Sequence, residues 1–168
     1  MNYKTEIENL SHFLHRWFLN KNKTLAVAES CTGGSLSAAI VANSGCSAYF
    51  LSGIVAYSDK SKIEFLEIDP ELISHNGAVS RLVVEAMAQG VKRKSGSDFA
   101  VTTTGIIGPG GGSYKKPVGT VWIGVCSDKG VLSKKINFID KGRKENSECA
   151  VFEALSLLKE FILDCEKV

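Results

Sequence analysis

The chain has 168 residues, 44% of them hydrophobic and 23% charged, which is the composition of a globular protein long enough for one sizeable core. Its formal net charge is +2 and it has no Lys- or Arg-rich stripe, so nucleic acid is excluded as an expected partner. The five cysteines are scattered and include no CxxC pair, which predicts reduced thiols in a cytoplasmic protein and no zinc site.

The amino-terminal half alternates between helical and strand patterns. Residues 1–23 place Leu10, Leu14 and Phe18 at helical spacing, and they contain neither a signal-peptide core nor a stretch long enough to span a membrane. They therefore predict an amphipathic helix packed on the domain, and no membrane partner is expected. The next segments predict a buried strand at 24–29, a helix at 34–43 and a strand at 47–58. Two short helical pieces at 59–68 and 69–76 and a full helix at 79–96 follow.

The carboxyl-terminal half supplies three strand patterns and a last helix, at 98–105, 119–127, 131–139 and about 143–164. The sequence Asp-Lys-Gly joins the last two strands and predicts a hairpin. Helices interleaved with strands, followed by a terminal hairpin, predict an α/β fold, a three-layer α/β/α sandwich with a mixed β-sheet. We find no linker or internal repeat, so residues 1–168 are expected to form a single domain.

The segment AESCTGG, residues 28–34, joins the first predicted strand to the next helix. Such a turn places hydroxyl and backbone N–H groups at a helix amino terminus, where an anion or an oxyanion is stabilised. The same residues also suit a structural role, because Ser30 or Thr32 can cap the helix and the glycines permit a tight turn. Cys31 is a second candidate nucleophile, and a Cys31–His75 pair is conceivable although nothing in the sequence requires it.

Tyr57 and Lys62 lie where a strand pattern gives way to a helical one, so both side chains can project into one cleft. A desolvated lysine with a lowered pKa takes a proton from a serine, and a tyrosine can relay one. The spacing is Tyr-x4-Lys, which differs from the Tyr-x3-Lys of short-chain dehydrogenases. The structural alternative is a tyrosine at a strand end and a solvated surface lysine.

The longest irregular segment, residues 106–118, follows a predicted strand and contains Gly-Pro-Gly-Gly-Gly. It matches neither a P-loop nor the Rossmann Gly-x-Gly-x-x-Gly pattern, because Ser113 stands where a glycine is required. Glycines at the carboxyl end of a strand let backbone N–H groups approach a phosphate closely, and open α/β sheets bind ligands at that end. A merely flexible loop is the alternative.

Five motifs resemble those of the CinA carboxy-terminal domain family, and they occur in that family's order over about residues 5–163: AESCTGG, GCSAYFLSGIVAYSDKSK, HNGAVS, TTTGIIGPGGG and KPVGTVWIGV. Enzymatic members of this family are nicotinamide-nucleotide amidases, which hydrolyse nicotinamide mononucleotide to nicotinate mononucleotide and ammonia in pyridine nucleotide salvage. The resemblance implies the CinA C-terminal domain-like fold, a small-molecule nucleotide substrate, no metal or other cofactor, and a homodimer. The amino-terminal domain of full-length CinA proteins has no counterpart here, so the stand-alone form is expected.

The resemblance also implies site residues. The family's serine–tyrosine–lysine arrangement corresponds to Ser30, Tyr57 and Lys62, and Ser47 is a second candidate nucleophile. In the implied mechanism, neutral Lys62 takes the Ser30 proton, directly or through Tyr57, and Ser30 forms an acyl-enzyme. Backbone N–H groups around Thr32 to Gly34 hold the oxyanion, and Arg143 with the 105–112 loop holds the phosphate. The implied binding residues are Thr32, Gly33, Gly34, Ser47, Gly105, Gly108, Pro109, Gly111 and Arg143.

The sequence departs from the family pattern at two positions. Arg81 stands where the family usually has glutamate, and Ser147 where it usually has an arginine four residues after the one matched by Arg143. Loss of a phosphate-binding arginine weakens affinity unless Arg143 or Arg81 compensates. An inactive nucleotide-binding or regulatory protein is therefore the alternative function, and a thiol hydrolase using Cys31 is a third. Glu29 is expected to orient either Lys62 or the turn.

Overall fold

Within residues 2–167, which the computed structural model describes, five strands form one mixed sheet and six α-helices cover its two faces. The strands are β1 (Leu25–Glu29), β2 (Phe50–Val55), β3 (Phe99–Gly105), β4 (Thr120–Ser127) and β5 (Gly130–Asn137). The helices are α1 (Tyr3–Lys21), α2 (Ser35–Val41), α3 (Asp59–Leu66), α4 (Pro70–Asn76), α5 (Arg81–Ser95) and α6 (Arg143–Glu166).

The strand order in the sheet is β2-β1-β3-β4-β5. Strand β1 runs parallel to both β2 and β3, whereas β4 is antiparallel to its two neighbours. Ser127 pairs with Gly130, so Asp128 and Lys129 form the tip of the predicted hairpin. The mixed sheet and the hairpin are confirmed.

Alternate side chains of β1 face opposite helical layers. Leu25 and Val27 belong to a core with α1, α2 and α6, and Ala26 and Ala28 belong to a second core with α3, α4 and α5. All five residues of β1 are buried, as expected for a parallel strand covered on both faces. The predicted three-layer α/β/α sandwich is therefore confirmed.

The start of β2 differs from the sequence-based expectation, whereas the amino-terminal helix agrees with it. Strand β2 begins at Phe50 rather than at residue 47, because Cys46–Ala48 form a short 3-10 turn after Gly45, whose φ is 84°. The expected amphipathic helix is α1, which buries Leu14 and Phe18 against the first core. Among the described residues, none of the helices combines the length and apolar character that a membrane crossing needs.

Candidate active site

A cleft opens at the sheet edge where β1, β2 and β3 end. Its volume is about 260 Å³, and the residues that matter for its chemistry are Ser30, Tyr57, Asp59, Lys62, Gly105 and Arg143. Ser30 directly follows β1, Tyr57 and Lys62 flank the start of α3, Gly105 ends β3 and Arg143 begins α6. Segments that are far apart in sequence thus meet because parallel strands present their carboxyl ends at one edge.

The Lys62 ammonium nitrogen lies against the Ser30 hydroxyl. Lys62 Nζ donates to Ser30 Oγ and to the backbone carbonyl of Tyr57, both at 3.2 Å. The side chain is 1% exposed, and burial lowers the pKa of Lys62, with Asp59 and Cys31 opposing that shift. Because a lowered pKa increases the fraction of neutral amine, Lys62 is suited to accept the proton of Ser30.

A capping box sets the position of Lys62. Ser58 Oγ accepts from the backbone N–H of Ser61, and Ser61 Oγ accepts from that of Ser58, at 3.0 Å each, so α3 begins at Asp59. Lys62 and Leu66 are then one turn apart on the same face and are the two buried residues of this helix. The structural alternative of a solvated surface lysine is wrong.

Glu29 organises the turn that carries Ser30. Its carboxylate is fully buried and accepts from the backbone N–H groups of Gly34, Leu36 and Ser37 at 2.8–3.0 Å. The hydroxyls of Thr32 and Ser37 donate to it at 2.6 and 2.7 Å. Glu29 therefore caps α2 in place of Ser30 or Thr32 and orients the turn, whereas no hydrogen bond joins it to Lys62 in the part of the chain that the structure describes.

These contacts change which N–H groups are available for an oxyanion. The Gly33 N–H donates to the Ser30 carbonyl at 3.2 Å, and the Gly34 N–H donates to Glu29 at 3.0 Å. Contrary to expectation, neither N–H group is free to bind an oxyanion. Within residues 2–167, the N–H groups of Cys31 and Thr32 donate to no other residue. Cys31 N–H was missed from the sequence, although the residue after a nucleophilic serine supplies this donor in other hydrolases.

The hydroxyl of Tyr57 faces Arg143 rather than the serine–lysine pair. Arg143 Nη2 donates to Tyr57 Oη and Nη1 donates to the Gly108 carbonyl, both at 2.8 Å. Tyr57 contacts Lys62 only through its backbone carbonyl among the hydrogen bonds of the described residues. This arrangement does not support a proton relay through the Tyr57 hydroxyl. Tyr57 instead contacts Lys62 through its carbonyl and Arg143 through its hydroxyl.

Cys31 lies beside Ser30 but is poorly suited to nucleophilic attack. The side chain is 5% exposed, and burial raises the pKa of its thiol to about 12. His75 is exposed at the end of α4, and its Nδ1 lies 2.8 Å from the Glu71 carbonyl, outside the cleft. The conceivable Cys31–His75 pair is therefore not formed.

The glycine-rich loop after β3 forms one wall of the cleft. Gly105, Gly108 and Gly111 line it, whereas Pro109, in the same described loop, does not. A Cβ on Gly105 would lie 2.8 Å from the Thr120 carbonyl oxygen, so only glycine permits this approach of β3 to β4. The loop thus leaves backbone exposed to the cleft, as its composition predicts.

Two other expected residues lie elsewhere. Ser47 is exposed before β2, and because β1 and β2 are parallel, it lies at the sheet edge opposite to Ser30. Within one chain Ser47 therefore contributes nothing to the cleft. Arg81 pairs with Glu85 at 3.2 Å on α5 and does not line the cleft, so it does not replace the missing arginine.

A second depression, which we call the groove, lies between α1, α2 and α6. Its volume is about 740 Å³, and it meets the cleft at Cys31, Ile107 and Arg143. Lys144 and Ser147 also line it. A ligand too long for the cleft can extend past Arg143 into the groove.

The comparisons with known proteins agree on one family. Residues 7–162 match the family model of the CinA C-terminal domain. A CinA-like protein of Geobacter sp. (strain M21) is 45% identical over 141 residues, which are 83% of this chain and 34% of that protein. A CinA-like protein of Synechocystis sp. is 49% identical over 113 residues, which are 67% of this chain and 27% of that protein. The chain thus spans about a third of the length of the curated relatives it matches.

Solved structures show the same fold. The competence/damage inducible protein CihA of Agrobacterium tumefaciens is 37% identical with a TM-score of 0.90, over 92% of this chain and 94% of that one. The competence damage-inducible protein A (ComA) of Klebsiella pneumoniae is 31% identical with a TM-score of 0.89, over 94% of this chain and 97% of that one.

Proposed function

The chain belongs to the CinA C-terminal domain family, and from this we propose that it hydrolyses the carboxamide of nicotinamide mononucleotide to nicotinate mononucleotide and ammonia. The observation that carries the proposal is the buried pair of Lys62 and Ser30, with Nζ 3.2 Å from Oγ. Burial lowers the pKa of Lys62, which gives the serine a base without a histidine or a metal ion. Five free cysteines and the small nucleotide substrate fit action in the reducing cytoplasm, and a homodimer is the proposed assembly.

The first step forms a tetrahedral adduct between Ser30 and the substrate. Neutral Lys62 takes the proton of Ser30, and Oγ bonds to the carboxamide carbon while the carbonyl electron pair moves onto oxygen. The N–H groups of Cys31 and Thr32, which donate to no other described residue, are proposed to hold this oxyanion. Glu29 keeps both N–H groups in position by holding the turn.

The second step releases ammonia and regenerates Ser30. The carbonyl re-forms, the C–N bond breaks, and the leaving nitrogen takes the proton from Lys62. Water then loses a proton to Lys62 and attacks the ester, which yields the nicotinate group, and the Ser30 oxygen recovers its proton. Tyr57 takes no part in proton transfer and holds Lys62 through its carbonyl.

The phosphate is proposed to lie near Arg143, where the cleft meets the groove. Arg143 is oriented by the Gly108 carbonyl and Tyr57 Oη, and it retains further N–H donors for phosphate oxygens. Lys144 follows it at the start of α6 and lines the groove. The glycines at 105, 108 and 111 supply close backbone contact to the nucleotide.

A second candidate function is a nucleotide-binding or regulatory protein without turnover. Ser147 favours it, because the groove carries no arginine at the position where the family usually has one. The intact contact between Lys62 and Ser30 favours the amidase. Binding of nicotinamide mononucleotide without release of ammonia distinguishes this candidate from the enzyme.

The test is ammonia release from nicotinamide mononucleotide by purified variants. Ser30→Ala and Lys62→Met should each lower kcat by about a thousandfold or more, because they remove members of one catalytic unit. Cys31→Ala is the matched control and should retain most activity, since the buried thiol stays protonated. If Cys31→Ala abolishes turnover while Ser30→Ala does not, Ser30 is not the nucleophile.

A further inference from the structure

The cleft contains a carboxylate that the proposed mechanism does not use. Its residues with formally charged side chains are Asp59, Lys62 and Arg143. Lys62 contacts Ser30 and Tyr57, and Arg143 contacts Tyr57 and Gly108. Asp59 is exposed and makes no side-chain hydrogen bond or ion pair with any residue from 2 to 167. It is therefore an unpaired negative charge beside the catalytic pair.

The local structure of α3 does not require this carboxylate. Ser58 and Ser61 already satisfy the helix amino terminus, and an acidic side chain in the first turn adds only a modest interaction with the helix dipole. Asp59 and Lys62 are three residues apart, so both lie on the side of α3 that faces the cleft. A carboxylate placed there attracts a cation bound next to Ser30.

We propose that Asp59 is a specificity-determining residue that selects carboxamides attached to a positively charged ring. This inference rests on the proposed amide hydrolysis, in which the carboxamide carbon reaches Ser30 Oγ. The pyridinium ring of nicotinamide mononucleotide then occupies the cleft, whose volume of about 260 Å³ keeps the ring close to Asp59. Arg143, at the junction with the groove, faces the phosphate end. The two charges match the opposite charges of the substrate.

An indirect effect through Lys62 has the opposite sign. The negative charge of Asp59 raises the pKa of Lys62 against the effect of burial, so removing it leaves Lys62 less protonated. A less protonated Lys62 repels a cationic ring less and strengthens its binding. Weaker binding after removal of Asp59 therefore reports the direct interaction of the carboxylate with the ring.

The experiment compares two ligands that differ in ring charge. Nicotinamide mononucleotide has a cationic ring, and its reduced dihydropyridine form has a neutral ring with the same carboxamide, ribose and phosphate. Dissociation constants are measured by calorimetry on Ser30→Ala protein, which prevents turnover. The variants added to this background are Asp59→Asn, Asp59→Glu and, as a matched control, Glu64→Gln, an exposed acid on the same helix that does not line the cleft.

The Ser30→Ala protein should bind the cationic form about tenfold more tightly than the neutral form, as expected for one partly solvated charge pair. Asp59→Asn should remove most of this preference, whereas Asp59→Glu and Glu64→Gln should keep it. The role of Asp59 is overturned if Asp59→Asn keeps the preference for the cationic form, or if the Ser30→Ala protein shows no such preference. In either case, ammonia release by the wild type still supports the amidase. If the wild type releases no ammonia and neither nucleotide binds, the amidase and this inference both fail.

Discussion

The carboxylate of Glu29 accepts hydrogen bonds from both the backbone N–H and the hydroxyl of Ser37, at 2.8 and 2.7 Å, although the two residues are eight positions apart in the sequence. The two residues close the turn that begins at Ser30 and ends in α2. Because the carboxylate is fully buried and takes five hydrogen bonds in all, the geometry of the proposed oxyanion site depends on it.

Replacing Glu29 should therefore damage both stability and activity. Glu29→Gln introduces an amide NH₂ that faces donors, so we expect a loss of about 3 kcal/mol in the free energy of unfolding and a large fall in kcat. Ser37→Ala removes only the hydroxyl contact and should cost about 1 kcal/mol. Denaturant unfolding and ammonia release measure the two effects. Equal stability of Glu29→Gln and wild type contradicts the assigned role.

The pH dependence of turnover should follow Lys62. Its folded pKa lies below the ordinary value of 10.5 because of burial, and the proposed mechanism uses the neutral amine. Activity should therefore rise as the pH increases through this lowered pKa and fall on acidification. Lys62→Arg, which is always protonated, should be inactive across the range. The measurement is kcat/KM against pH, and a profile that falls over this range contradicts Lys62 as the base.

The same shift predicts that Lys62→Met stabilises the fold while it abolishes turnover. With a folded pKa below the unfolded one, the unfolded chain binds the proton more tightly, so the charged lysine lowers stability at neutral pH. This penalty decreases as the pH rises toward 10.5, the unfolded value. Thermal unfolding of both proteins at pH 7 and pH 10 should show a higher Tm for Lys62→Met at pH 7 and a smaller difference at pH 10.

The sequence was sufficient for the layers of the fold because the apolar runs and turn residues act locally. The strand at 24–29 and the helix capped by Ser80 were predicted close to their observed limits, since Ser80 Oγ accepts the Val83 N–H. The polar run SDKSK left a buried and a solvated Lys62 both open, because burial depends on helix α3 turning this side chain toward Ser30.

The site was only partly predictable for a related reason. The family resemblance implied that Ser30, Lys62 and Arg143 belong to one site, and all three line the cleft. Their hydrogen-bond partners depend on side-chain orientations that neither the resemblance nor the spacing specifies. Tyr57 therefore points its hydroxyl at Arg143, and Glu29 takes the N–H of Gly34. An acidic residue at the end of a buried strand, just before Gly-Gly and a helix, was the available signal for that cap.

Tyr57→Phe separates a positioning role from a proton relay. The substitution removes only the hydroxyl that Arg143 contacts, and the backbone carbonyl on Lys62 remains. We expect KM for nicotinamide mononucleotide to rise about 3- to 10-fold, because Arg143 loses one partner, with kcat little changed. Loss of acid–base catalysis typically lowers kcat by about a hundredfold or more. A fall of that size at unchanged KM contradicts the positioning role.

Ser147→Arg tests whether the phosphate lies where Arg143 meets the groove. Residue 147 follows Arg143 by one helical turn of α6, and both line the groove together with Lys144. A guanidinium at this position should pair with the phosphate and lower KM for the mononucleotide by about 5- to 20-fold. Nicotinamide riboside, which lacks the phosphate, is the matched control and its KM should not change, because the added charge then has no partner. A similar fall in KM for both ligands, or no change for the mononucleotide, contradicts a phosphate site at this junction.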